Sequence, residues 1–339
     1  MDTLFYTKIR KYEQQSYGLI IMPSERHSIN DNSCENDSMY HLLREHYDIL
    51  LSEIKKELLQ GRKEIYITWF VRELLPVMED IFWFTHAVKT LTDDMRAKFT
   101  GEIITDSLLP DVSVMMDFCD LGISNYILHV NSSVFFDEQI RAKERKWLNQ
   151  KANRIINLLS SDLSFNLKLI IQIKSDIPEY TDYNHLLPFI NDNRLLLHFA
   201  PESPHMCDYA LHELNTSGSF RFTIDRIKNS FRDKGFGLVE DYNKELLSAA
   251  CYAARENRFV IRANGNISKC TVALENEINN IGYMDLNSGK MIINFNVEDI
   301  WSYNILSLKC ESCDKQLICC NRSCPLWKMN SQNAIRCCN

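Results

Sequence analysis

The sequence predicts an α/β protein with a largely parallel sheet, followed by a small cysteine-rich part with little helical pattern. Short apolar runs alternate with amphipathic helical segments from about residue 17 to residue 200, the signature of βαβ units. Two β-rich runs flank Asn264-Gly265, a dipeptide favoured in two-residue hairpin turns. Nine of the twelve cysteines fall between Cys251 and Cys338.

The first strand is the run Tyr17-Gly18-Leu19-Ile20-Ile21, ended by Met22-Pro23, with a polar loop over 24–38. Met39 to Gln60 has helical spacing, with Leu42, Leu43, Tyr47, Leu50, Leu51, Ile54 and Leu58 on one face and Gly61 as a stop. A second strand covers Glu64 to Phe70 and a second helix Leu75 to Thr92. The alternation then repeats: strand Lys98 to Ile104, helix Asp111 to Asp120, strand Tyr126 to Val130, helix Glu144 to Leu159 and strand Leu167 to Ile173. A short helix over Tyr183 to Ile190 and a strand over Leu195 to Ala200 complete it. About six units are visible, fewer than an eightfold barrel. After residue 235 come the Asn264-Gly265 hairpin and a second glycine turn at Asn287-Ser288-Gly289.

Composition narrows the function classes. A formal charge of -7 disfavours nucleic acid, whose phosphates call for clustered Lys and Arg. No window reaches the roughly 18 apolar residues of a membrane span, and residues 1–8 lack the apolar core of a secretory signal. A cytoplasmic protein is expected, and in a reducing compartment clustered cysteines point to metal rather than to disulfides. Cys34, Cys119 and Cys207 are scattered and read as small packing residues.

The remaining nine are Cys251, Cys270, Cys310, Cys313, Cys319, Cys320, Cys324, Cys337 and Cys338. Two cysteines separated by two residues, as in Cys310-Glu311-Ser312-Cys313, aim both sulfurs at one metal. Four such sulfurs suit tetrahedral zinc or a 4Fe–4S cluster, and nine suit two sites better than one.

This C-terminal part resembles the SPASM domain, the auxiliary-cluster module of radical S-adenosylmethionine (SAM) peptide- and protein-modifying enzymes. That family's pattern is Cys, a gap, Gly-x4-Cys, then Cys-x2-Cys-x5-Cys-x3-Cys and a last Cys. Cys251, Gly265, Cys270, Cys310 and Cys313 match in order and spacing; Cys319 fits the next position and Cys324 the one after, with one extra residue, while Cys320 fits the x3 spacing to Cys324. Either Cys337 or Cys338 serves as the last. The resemblance implies an outer cluster on Cys310, Cys313, Cys319 or Cys320, and Cys337 or Cys338. It implies an inner cluster on Cys251, Cys270 and Cys324. The stretch 252–258, where some relatives supply a further inner ligand, has no cysteine. That leaves either an open iron or a ligand borrowed from Cys319 or Cys320.

Residues 1–235 are similar to the radical SAM barrel, and 236–339 are expected to form the SPASM domain. The implied fold is a partial (β/α)6 radical-SAM-type barrel followed by a small cysteine-rich domain with a β-hairpin. In the family, a first strand ending in Met-Pro precedes Cys-x3-Cys-x2-Cys. Met22-Pro23 is present here, but His27, Asp31 and Cys34 stand at the cysteine positions. Three thiolates grip the cluster that binds SAM, and a carboxylate is a poor substitute. The family's Gly-Gly-Glu-Pro turn after the second strand reads Val71-Arg72-Glu73-Leu74, and its Thr-Asn-Gly turn reads Thr105-Asp106-Ser107. Val71 and Arg72 put side chains where bare backbone would approach SAM.

The expectation is therefore a degenerate radical SAM/SPASM protein holding one or two auxiliary 4Fe–4S clusters and no SAM. It would act as an accessory or partner subunit in maturation of a ribosomal peptide precursor or a protein substrate, docking either that substrate or an active radical SAM maturase. The alternatives are a SAM-independent redox enzyme using an open auxiliary cluster, and a zinc-stapled peptide-binding protein. A polar loop is the plainer reading of His27, Asp31 and Cys34, a packed histidine that of His198, and core packing that of Trp69.

Overall fold

The computed structural model describes residues 15–26, 39–131, 142–173, 186–201, 218–239, 251–303 and 325. It divides into two compact units, one made of residues 1–70, 83–100 and 244–339, the other of 71–82 and 101–243.

The first unit is organised by β1 (Ser16–Ile21). β1 pairs in parallel with β4 (Glu64–Val71), from Ser16 opposite Glu64 to Ile21 opposite Trp69. Its other edge pairs in parallel with β9 (Arg258–Ile261), from Gly18 opposite Arg258 to Ile21 opposite Ile261. A strand with neighbours on both edges and cover on both faces reads as a continuous apolar run, and Tyr17, Leu19 and Ile21 are at most 2% exposed. Antiparallel strands β10 (Asn266–Ser268), β11 (Asn280–Asp285) and β12 (Lys290–Ile293) then extend the sheet outward from β9. Helix α6 (Phe295–Tyr303) follows β12.

The helix predicted from Met39 starts later, because Met39–His41 is a short strand (β3) paired with Ser24–Arg26 (β2). Helix α1 (Arg44–Leu59) begins where His46 Nδ1 accepts the Leu43 N–H at 3.0 Å. It stops at Gly61, as its sequence predicts. Tyr47 and Leu50 of α1 pack on the sheet with Phe84 of helix α2 (Met78–Asp94), whose ring meets Trp69 edge-on at 5.7 Å. Trp69 is wholly buried, as expected of a packing residue.

The second unit contains β5 (Lys98–Thr105) from Gly101 onward, then β6 (Ile123–Asn131), β7 (Asn166–Ile173) and β8 (Leu195–Pro201), all paired in parallel in that order. Helix α3 (Val112–Asp120) is capped by the Asp111 carboxylate, which accepts the Val114 N–H at 3.1 Å. Helix α4 (Ala142–Leu159) is tied to the start of β8 by Arg194. Its guanidinium donates to the carbonyls of Leu159, Ser161 (2.7 Å) and Leu163 (3.0 Å) and pairs with Asp192.

Three local differences have physical causes. The helix expected over Tyr183 to Ile190 is a single 3-10 turn at Leu187–Phe189, within the described residues from 186 on; Pro188 removes a backbone donor there. A helix absent from the sequence reading, α5 (Gly218–Asp233), buries Ile224, Ile227 and Phe231, the last 4.8 Å from the Phe199 ring. The Asn264-Gly265 hairpin forms, but as a three-residue loop. Arg262 N–H donates to Asn266 O, and Gly265 takes φ +84°, the left-handed position that follows a type I turn. Among the described residues no helix is long and apolar enough to cross a membrane.

Gly282 on β11 sits against the β12 backbone, where a Cβ would lie 2.1 Å from Ile292 O. Gly282→Ala should force the two strands apart and cost about 1–3 kcal/mol, read as a lower urea midpoint in equilibrium unfolding.

Candidate metal centre and strand-end cluster

Of the nine clustered cysteines, Cys251 and Cys270 lie within the described residues; Cys310, Cys313, Cys319, Cys320, Cys324, Cys337 and Cys338 lie outside them, as do His27, Asp31 and Cys34. Of these two, Cys270 is buried and Cys251 half-buried. They stand on either side of the β9–β10 hairpin. Cys251 begins a 3-10 turn, Tyr252–Ala254, whose Ala254 N–H donates to Cys251 O at 2.8 Å. Cys270 lies two residues past β10.

Two contacts bring these turns together. The Tyr252 hydroxyl lies 2.8 Å from Thr271 Oγ1 and accepts the Thr271 N–H at 2.8 Å. The residue after one cysteine is thereby bonded to the residue after the other. The Cys270 turn is held by Asn279, which is fully buried. Its Oδ1 accepts the N–H groups of Lys269 (3.0 Å) and Cys270 (2.8 Å), and its Nδ2 donates to the carbonyls of Cys270 (2.7 Å) and Ala273 (2.9 Å). Val272 N–H donates to Cys270 Sγ at 3.4 Å. A sulfur that accepts a backbone N–H is stabilised as thiolate, the form that binds metal, and such bonds tune cluster potentials. That bond gives Cys270 the character of a thiolate ligand; among the described residues no group of three or more His, Cys, Asp or Glu side chains is gathered as a metal site.

Lys269, with no exposed surface, sits beside this turn. It donates to Arg255 O at 2.6 Å and approaches Glu298 Oε1 at 3.4 Å. Burial lowers its pKa to about 8, against the pull of Glu298, Glu256 and Cys251. Neither Asn279 nor Lys269 carries a spacing signal in the sequence; the adjacency of Lys269 to Cys270 was the one available clue.

The second unit gathers ionisable groups at the ends of its strands. Val71, wholly buried, closes β4, and Arg72 and Glu73 after it are exposed. Leu74 N–H donates to Ser107 Oγ at 3.4 Å, Ser107 N–H donates to Thr105 Oγ1 at 3.0 Å, and the two hydroxyl oxygens lie 3.0 Å apart. Lys151 of α4 is buried and donates to the carbonyls of Asp106 and His129, the latter at 3.1 Å. Burial holds the Asp106 carboxyl up, against Lys151 and Arg72. Burial and the nearby lysines bring His129 down to about 4, so its imidazole is neutral near pH 7. His198 on β8 is half-buried and adds to that depression. Cys119 on α3 is half-buried, its thiol pushed up by burial, as befits a packing residue.

Asn279→Ala should remove four hydrogen bonds from the Cys270 turn and cost about 2–4 kcal/mol, measured by urea unfolding of metal-free protein. Lys151 has a pKa of about 8 in the fold, against an ordinary value of 10.5. Between those values the unfolded chain binds more protons, so this group makes stability rise as pH goes from about 8 to 10.5. Lys151→Met should flatten that rise in unfolding curves taken across the window.

No family model and no curated protein matches the sequence. Solved structures do. The chain is similar to histidine-tagged anSMEcpe with bound AdoMet, with TM-score 0.53 and 11% identity over 91% of this chain and 88% of that one. Native anSMEcpe with bound AdoMet and Kp18Cys peptide gives TM-score 0.52 and 10% identity over the same shares. Streptococcus suis SuiB bound to precursor peptide SuiA gives TM-score 0.50 and 15% identity, over 92% of this chain and 73% of that one. The chain has the radical-SAM-type α/β fold, with a parallel sheet at its core.

Proposed function

We propose that this chain is a degenerate radical SAM/SPASM protein that carries auxiliary 4Fe–4S clusters and assists maturation of a ribosomal peptide or protein. The observation that carries the reading is the Cys270 turn, in which Asn279 fixes the backbone and Val272 donates to the sulfur. Cys251, tied to that turn through Tyr252 and Thr271, joins Cys270 and Cys324 in the proposed inner set. Cys310, Cys313, one of Cys319 and Cys320, and one of Cys337 and Cys338 form the proposed outer set. Such clusters supply electron transfer or structural support.

Loss of SAM use is supported by the residues at the β4 and β5 ends. Val71 is packed into the protein and Arg72 carries a long side chain where the family has glycines. The Thr105–Ser107 turn is occupied by its own hydroxyl contacts. His27, Asp31 and Cys34 offer one thiol where three are needed. The peptide partner is supported by the fold shared with SuiB bound to its precursor peptide. The partner subunit in this reading is an active radical SAM maturase; nucleic acid and membrane are not among the partners, and the protein is cytoplasmic. The lack of a thiol over 252–258 leaves the inner cluster either an open iron or a ligand borrowed from Cys319 or Cys320; an open iron is what the second reading, a SAM-independent redox enzyme, requires.

Anaerobic reconstitution should yield about eight irons per chain, falling to about four in Cys270→Ala. Reductant and SAM should give no 5′-deoxyadenosine. Zinc without iron would favour the metal-stapled binding protein, and robust SAM cleavage would refute degeneracy.

A further inference from the structure

At the opposite end of β1 from Met22 and Pro23, the first unit has a cavity of about 370 Å³ that no part of the cluster reading uses. Its walls come from β1, the second half of α1, the segment leading into β9, β12, and the first turn of α6. Five carboxylates line it: Glu53, Glu57, Glu256, Glu298 and Asp299. Three are answered by cations. Lys56 pairs with Glu53 at 2.8 Å, Arg62 with Glu57 at 2.8 Å, and Lys269 with Glu298 at 3.4 Å. Glu256, whose charge also acts on Lys269, and Asp299 make no ion pair among the described residues, and both are exposed.

A second, independent feature points to a ligand. Tyr17 lines the same cavity and is 2% exposed, yet its hydroxyl has no hydrogen-bond partner among the described residues. A buried hydroxyl without a partner is costly and rare. It faces the cavity's carboxylates: burial first, then the charges of Glu53, Glu57 and Glu298, hold the phenol well above its ordinary pKa, so it stays neutral. The rest of the lining is Asn257, Phe259, Met291, Ile293 and the largely exposed Phe295.

Carboxylates set among aromatic rings suit a weakly hydrated organic cation better than a hard metal ion, which requires a shell of oxygens. A planar guanidinium donates N–H groups in a fork to carboxylates, can also donate to the Tyr17 oxygen, and stacks on aromatic faces. The volume lies in the range of small-molecule pockets. We propose that this cavity binds a guanidinium group, carried by an arginine side chain or by a small free guanidine. The site shares no cysteine with the proposed clusters, and it stands or falls separately from them.

The test is calorimetric titration of the full-length protein with N-acetyl-arginine amide, agmatine and the neutral isostere N-acetyl-citrulline amide, at two salt concentrations. Saturable binding of one guanidinium compound per chain is expected, weakened at least tenfold in the citrulline compound. Tighter binding of N-acetyl-arginine amide than of agmatine assigns a peptide source; the reverse assigns a free guanidine. Glu256→Gln with Asp299→Asn, both at exposed positions, should weaken binding at least tenfold with the melting temperature and iron content unchanged. Tyr17→Phe should weaken it less. Absence of saturable binding, equal binding of the citrulline compound, or full binding in the double variant would overturn the proposal, as would a site that takes Ca2+ and ignores the arginine compound.

Discussion

β1 is bonded along both edges, and the geometry of the first unit follows from that. On one side it meets β4, the next strand of the α/β alternation; on the other it meets β9, more than two hundred residues further along the chain. Backbone bonds frame the β9 pairing at both ends, from Gly18 N–H to Asn257 O and from Met22 N–H to Ile261 O, each 2.9 Å. A slip of one residue would turn Phe259 and Ile261 onto the wrong face. The β9–β10 hairpin, and with it the turns bearing Cys251 and Cys270, is thus positioned by a strand at the start of the chain. The same strand places Tyr17 in the acidic cavity and leads into Met22 and Pro23 at its other end.

Buried polar side chains in both units hold neighbouring backbone in place by bonding to its N–H and carbonyl groups. Asn279 does this for the Cys270 turn with four bonds, and Lys269 closes the carbonyl of Arg255. In the second unit Lys151 does the same for the carbonyls of Asp106 and His129. Both lysines titrate near 8, because the interior penalises their charge more than their partners repay it. Such groups are expensive in isolation. They are tolerated here because each ammonium meets backbone carbonyls that accept its protons.

Periodicity made most of the α/β core legible. The apolar runs at 17–21, 64–70, 126–130, 167–173 and 195–200 are all strands, since strands covered on both faces have no polar alternation to obscure them. Helix α5 is obscured in the sequence although Phe220, Ile224, Ile227 and Phe231 have helical spacing, because the residues between them are mostly polar or basic. The β2–β3 pair has no pattern at three residues per strand. Pairing of β9 with β1 has no local signature at all, since it joins segments remote in sequence. At the site, thiol spacing marked the cysteines, but Asn279 lies in an ordinary Asn-rich stretch and its role exists only once the chain is folded. The acidic cavity was equally hidden, because its carboxylates come from α1, the segment before β9, and α6.

Iron-edge anomalous diffraction from crystals of anaerobically reconstituted protein tests the central claim most directly. Iron peaks bonded to the sulfurs of Cys251 and Cys270, with none beside His27, Asp31 and Cys34, are the predicted result. Iron seated beside His27, or none at the Cys270 turn, would contradict it.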